Sequence, residues 1–103
     1  MKPDWDEIDH QLQKRTGGRC ENCGRPGTQR HHCLVHNLKR LKGLDTELNL
    51  MWCCADCHIT KKLLDSFEVK QLFWNRQVNY YGLERMRGFI DSVNEQVKVK
   101  YKF

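Results

Sequence analysis

No run of apolar residues in this chain is long enough to cross a bilayer, which removes helical channels and membrane anchors from consideration. The opening MKPDWDEIDH is polar and acidic and does not read as a secretory signal. Together these point to a cytoplasmic protein with no membrane partner. No internal repeat or low-complexity tract appears. Acidic residues are scarce in one region. From Lys14 to Lys42 the only acid is Glu21, against Lys14, Arg15, Arg19, Arg25, Arg30, Lys39, Arg40 and Lys42. The rest of the chain is close to neutral, so the net charge of +5 is concentrated there. Such a stretch suits phosphate contacts, or else is a solvated surface that binds nothing.

What is present fits one domain. A chain of 103 residues with 39% hydrophobic content should fold, but a core this small is marginal by burial alone. A structural metal is a usual supplement. Six cysteines are many for this length, and without a secretory signal they read as metal ligands sooner than as disulfides.

Periodicity places the elements. Asp4 to Arg15 reads as a helix with Trp5, Ile8 and Leu12 on one face, acids at its start, bases at its end and Thr16-Gly17-Gly18 as its stop. Arg19 to Gly27 is a tight turn region. Gln29 to Val35 and Leu48 to Cys53 read as short strands joined by a basic loop over Asn37 to Glu47. A helix is expected from Ala55 to about Leu64. Another begins near Ser66, with Asp65 as a candidate N-cap and Glu68 three residues on in a capping-box arrangement. Phe67, Trp74, Val78 and Tyr81 lie on one side of it, and Gly82 stops it. Leu83, Met86, Ile90, Val93 and Val97 then give the clearest helical repeat in the chain. The tail Lys98 to Phe103 alternates basic and apolar residues and fits a strand, a phosphate-contacting arm or a frayed end.

Two CxxC pairs, Cys20/Cys23 and Cys54/Cys57, stand about thirty residues apart. Two intervening residues let both sulfurs of a pair face one ion, and four such ligands make a tetrahedral zinc site. Gly24 supplies the backbone freedom that the first turn needs. Cys53 is an alternative to Cys54, but the two-residue spacing favours Cys54. Cys33 and Cys53 read as small core residues. The competing account, redox dithiols, lacks its usual βαβ setting.

Four of the five histidines lie between or beside these pairs: His31, His32, His36 and His58, with Asn49 just before the second pair. His10 stands apart on the first helix as a surface residue. Adjacent side chains on a strand face opposite ways, but a twist or bulge can bring His31 and His32 to one site with different tasks, one binding a metal while its neighbour addresses a water. The order Cys20-x-x-Cys23, His31-His32, Asn49, Cys54-x-x-Cys57-His58 resembles the HNH endonucleases in their four-cysteine form. HHCLVH, ELNL and the ending at His58 are similar to small bacteriophage HNH proteins. So are Phe73 to Gln77, Tyr81-Gly82 and Glu84-Arg85-Met86 in the second half.

That resemblance implies an α+β fold. It is a ββα-metal finger from Cys20 to Lys62, stapled by a four-cysteine zinc, with one N-terminal helix and a two-helix extension over residues 65–97. It implies that His31 and His58 hold a catalytic divalent ion, that His32 is the general base, and that Asn49 holds the loop and orients the base. Some relatives carry a third ligand histidine one turn after His58; here Lys62 stands there, leaving two protein ligands. Imidazoles suit transition metals, so Mn²⁺, Co²⁺ or Ni²⁺ should serve, and Mg²⁺ can act through water and phosphate. An imidazole with an ordinary pKa near ~6.5 is a suitable base at cellular pH. Lys39, Arg40 and Lys42 in the loop, with Lys61 and Lys62 on the finger helix, would grip DNA phosphates without reading sequence. The implied activity is nicking of DNA with low sequence specificity by a monomer or weak homodimer, in the host cytoplasm if phage-encoded. Two rivals stand beside it. One is a non-catalytic zinc module that binds nucleic acid. The other is an interaction module using the apolar face of Leu83 to Val97.

Overall fold

The protein is described from a computed structural model, which covers residues 3–60 and 64–103. Its order is α1 (Trp5–Thr16), β1 (Gln29–His32), β2 (Leu50–Cys53), α2 (Ala55–Ile59), α3 (Phe67–Tyr81) and α4 (Leu83–Asn94). This is a small α+β arrangement with one two-stranded antiparallel sheet. No helix among the described residues is long and apolar enough to cross a membrane.

Helix α1 begins where its charges favour it. The Asp4 carboxylate accepts from the Glu7 N–H at 3.1 Å, Asp6 and Glu7 fill the first turn, and Lys14 and Arg15 fill the last. Gly17 closes it, as the Thr16-Gly17-Gly18 run predicts. Ile8 and Leu12 are buried against Leu50 and Trp52 of β2, with Trp5 beside them. Arg30 holds Asp9 through two hydrogen bonds of 2.7 and 3.2 Å and lies 4.1 Å from the Trp5 ring centre.

The strands pair His31 with Met51 and His32 with Leu50. Both are shorter than their hydrophobic runs predict, and Asn49 is the reason. Its side-chain oxygen accepts from the N–H groups of Leu34 and Val35 at 3.1 and 2.8 Å. Its amide donates to the carbonyls of Val35 and Leu44 at 2.9 and 3.1 Å. A buried side chain thus satisfies backbone groups that would otherwise need a ladder, and the chain leaves the sheet after His32. On the other strand, the Asn49 and Leu50 N–H groups both donate to Thr46 O in a turn, so β2 starts at Leu50 rather than Leu48.

The second half is two helices joined through Gly82, whose φ of 96° is costly for any residue with a Cβ. The N-cap of α3 is Ser66, not Asp65: the Ser66 hydroxyl accepts from Val69 N–H at 3.2 Å. The buried side of α3 is Phe73, Trp74 and Gln77, with Val78 and Tyr81 packed at its edge. Phe67 is 69% exposed, because the first helical residue projects beyond the core. Gln77 is tolerated inside because its amide donates to the Glu47 and Leu48 carbonyls at 3.0 and 2.9 Å. On α4, Met86, Phe89, Ile90 and Val93 are buried, whereas Leu83 is 50% exposed and Val97 lies past the helix end. The tail forms no strand. Asn94 brackets Tyr101 through two hydrogen bonds, and Phe103 stacks on Trp74 at 5.3 Å.

Arg15 joins the halves. Its Nη1 donates to Glu47 O (2.7 Å) and Tyr81 Oη (3.2 Å), and its Nη2 donates to Leu50 O (2.8 Å) and the Glu21 carboxylate. Only 5% of its side chain and 10% of that of Glu21 are exposed. Removing one partner of such a pair leaves a buried charge. Glu21→Leu is therefore expected to lower stability by about 3–5 kcal/mol, read from urea unfolding in metal-replete buffer. Arg85→Ala, which breaks a pair whose arginine is 54% exposed, should cost no more than about 1 kcal/mol. Equal effects of the two substitutions would refute the central place given to Arg15.

Candidate functional site

The two knuckles meet at one point. Cys20, Cys23, Cys54 and Cys57 place their sulfurs within 4.8 Å of one another. The Cys23 and Cys54 sulfurs are 3.6 Å apart. Two thiolates on one zinc at about 2.3 Å would be about 3.8 Å apart, so the donor set fits that ion in kind and in size. Gly24, with φ of 81°, turns the chain so that its N–H reaches Cys20 O at 2.9 Å. On the other side Cys54 caps α2, accepting from Cys57 N–H at 3.5 Å, and Asn22 donates to Cys57 Sγ at 3.3 Å.

The thiols also respond to one another. Burial would raise the Cys20 pKa, but backbone N–H donors of Cys54, Cys23 and Asn22 bring it down to about 7. At Cys57 the Asn22 amide favours the thiolate, yet burial and the neighbouring sulfurs of Cys54, Cys23 and Cys20 push it up to about 12. Four sulfurs this close cannot all carry charge without a cation between them. The cluster could hold a structural metal such as zinc. Cys33 and Cys53 stand outside it, buried, and burial pushes both up to about 12. None of the six cysteines forms a disulfide.

Beside this cluster the histidines line a cleft of about 220 Å³ with Arg30, Asn37 and Asp65. His31 and His58 face each other edge-on with ring centres 5.6 Å apart. His31 is 8% exposed, and its Nε2 is buried with no hydrogen-bond partner. Burial pushes the His31 pKa down to about 4; Asp65 opposes that shift, and His58, His36 and His32 add to it. His58 Nδ1 contacts Gln29 Oε1. An amide oxygen only accepts, so Nδ1 carries the proton and the lone pair of the neutral ring lies on Nε2.

His32 and His31 both line the cleft, so the strand does not send them to wholly separate surroundings. His32 Nε2 lies 2.8 Å from Asp45 Oδ1. Asn49 touches neither ring. Its bond to Leu44 O fixes the backbone beside Asp45, so any influence on His32 passes through that acid. The motif pattern omits two acids, Asp65, which lines the cleft, and Asp45, which pairs with His32. The available signal was chemical: a histidine pair in a small core needs partners, and Asp45 lies in the stretch leading to Asn49. His36 sits at the rim, its Nε2 3.2 Å from Asp65 Oδ1.

The basic stretch divides into spent and unspent charge. Arg15, Arg25 and Arg30 pair with Glu21, Asp56 and Asp9, and Arg19 donates to Gly24 O. Lys39, Arg40 and Lys42 are exposed and form no ion pair among the described residues. Gln96 ties their loop to the end of α4: it accepts from Lys42 N–H at 2.8 Å and donates to Lys42 O at 3.0 Å. Lys61 and Lys62 lie outside the described residues. Among the described residues the four cysteines are the one group of three or more ligand atoms closed to 4.8 Å; the histidines are more open.

No protein-family model, no curated protein and no solved structure matches this chain.

Two outcomes follow. Stripping metal from the purified protein with a chelator should abolish its near-ultraviolet circular dichroism, and one equivalent of zinc should restore it. Cys54→Ser should fail to recover, and a metal-free chain with an unchanged spectrum would refute the structural role of the cluster. The low pKa of His31 also has a sign. Because its folded value lies below the usual ~6.5, its neutral burial contributes fully above that pH and the contribution is lost as pH falls toward about 4. The His31 ring signals in NMR should therefore stay fixed from about pH 7 to about pH 5.5; movement centred near 6.5 would contradict the burial argument.

Proposed function

We propose that this chain is a divalent-metal-dependent endonuclease of the HNH type, hydrolysing DNA phosphodiester bonds with little sequence preference, on a finger stapled by zinc at Cys20, Cys23, Cys54 and Cys57. The observation that carries the reading is the cleft itself. His31, whose buried Nε2 has no hydrogen-bond partner, meets the His58 ring edge-on, and His32 lines the same cleft with its Nε2 against the Asp45 carboxylate. A buried histidine with a purely structural role is expected to have its ring nitrogen hydrogen-bonded, and His31 Nε2 is not.

Each residue has a task in that reaction. Asp45 accepts from His32 Nε2, which leaves the lone pair on Nδ1. That nitrogen takes a proton from water as its oxygen attacks phosphorus, and Asp45 steadies the imidazolium that forms. The P–O3′ bond breaks and the leaving oxygen takes a proton from solvent water, giving a 5′-phosphate and a 3′-hydroxyl end. General-base help of this kind is worth roughly 10²–10⁴-fold. His31 and His58 would hold the divalent ion, which when bound supplies Lewis-acid stabilisation of the phosphate charge. Asn49 fixes the arc that carries Asp45. Lys39, Arg40 and Lys42 give phosphate contacts from a loop tied down by Gln96.

One feature favours a second reading, a zinc module that binds nucleic acid without cutting it: the cysteine group is closed, while the histidines are more open. Conversion of supercoiled plasmid to nicked circles in Mn²⁺ or Mg²⁺ separates the two. Wild type should nick, His32→Ala should lose at least about 10²-fold in rate, and Asp45→Asn should lower kcat with little change in KM. Protein that shifts DNA in a gel but nicks with no divalent ion would establish the binding module instead.

A further inference from the structure

Asp65 has a carboxylate with no capping duty, because Ser66 caps α3. Its side chain turns to the cleft instead. Oδ1 lies 3.7 Å from His31 Nε2 and 3.2 Å from His36 Nε2. The first separation is too long for a hydrogen bond, and His31 Nε2 has no other partner. A buried nitrogen and an acid oxygen therefore face each other across a gap inside a polar cleft.

The width of that gap is informative. Two donors each about 2.1 Å from one ion are about 3.0 Å apart at a right angle and about 4.2 Å apart when opposite. The His31–Asp65 separation of 3.7 Å falls inside this range. So does the His36–Asp65 separation of 3.2 Å, but that pair is also within ordinary hydrogen-bonding reach. Lys70 Nζ lies 3.3 Å from the same His36 nitrogen.

We infer that Asp65 is a carboxylate ligand of the divalent cation in this cleft, sharing the ion with His31, while His36 stands beside its oxygen at the rim. The inference rests on the reading of the cleft as a cation site. It changes the expected chemistry of that site. Two imidazoles alone favour the softer transition metals, whereas an added carboxylate brings the site toward Mn²⁺ and Mg²⁺. It also changes the mechanics. Asp65 immediately precedes the cap of α3, so a bound ion would bridge β1 and the helical half of the molecule.

Isothermal titration of Mn²⁺ and of Ni²⁺ into protein already carrying one equivalent of zinc provides the test. Wild type should bind both. Asp65→Asn should weaken Mn²⁺ by about tenfold or more and Ni²⁺ by clearly less, and His31→Ala should remove both. The Asp65 side chain is 35% exposed, and an unchanged melting temperature of Asp65→Asn without added Mn²⁺ verifies that the fold is intact. If Asp65→Asn binds Mn²⁺ like wild type while His31→Ala does not, Asp65 is no ligand and the cation site stands without it. Wild type that takes up no Mn²⁺ beyond the zinc equivalent overturns the ligand assignment and the cation-site reading together.

Discussion

One guanidinium ties most of this small molecule together. Arg15 stands in the last turn of α1 and reaches the first knuckle through Glu21, the turn before β2 through Glu47, β2 itself through Leu50, and α3 through Tyr81. Glu21 answers by accepting from Trp52 N–H at 2.9 Å. Fixed donors in a planar fork suit this task, which a lysine could not perform. The pair places Cys20 and Cys23 beside the end of β2, where Cys54 follows. Apolar packing between α1 and the sheet would leave the knuckles free to slide. The charge pair sets their register.

The thiolate cluster and the histidine cleft depend on each other through α2. That helix has five residues, and Cys57 and His58 are successive among them. A side chain that helps close the cysteine group is thus followed directly by one that forms the wall of the cleft. Cys57 belongs to the sulfur donors, and His58 to the imidazoles that line the cleft with Asp65.

Much of this was legible in the sequence. The spacing of the cysteines put the right four together, and Cys53 and Cys33 fell in the core as their surroundings predict. The ends of α1 followed from Asp4 and Gly17 because capping is local chemistry. The less legible features were those decided by tertiary partners. The strands stop early because Asn49 replaces a ladder, which no hydrophobic pattern records. Ser66 outcompeted Asp65 as a cap, and that choice released the acid toward the histidines. The basic stretch overstated the free charge, since Arg15 and Arg30 are committed to Glu21 and Asp9. Asp45 escaped notice because its importance lies in a neighbour across the loop.

The connection between the strands is closed at its base by the side chain of Asn49. Asn37 to Arg40, all exposed, lie outside that closure. Doubling the length of a flexible loop costs only about 0.6 kcal/mol, so this arc can grow, shrink or change composition with little effect on the sheet. His31 and His32, on β1, would stay where they are while the surface beside them is rewritten. For evolution or for a designer, this is a fold in which the sheet and the loop surface beside it can be varied one at a time.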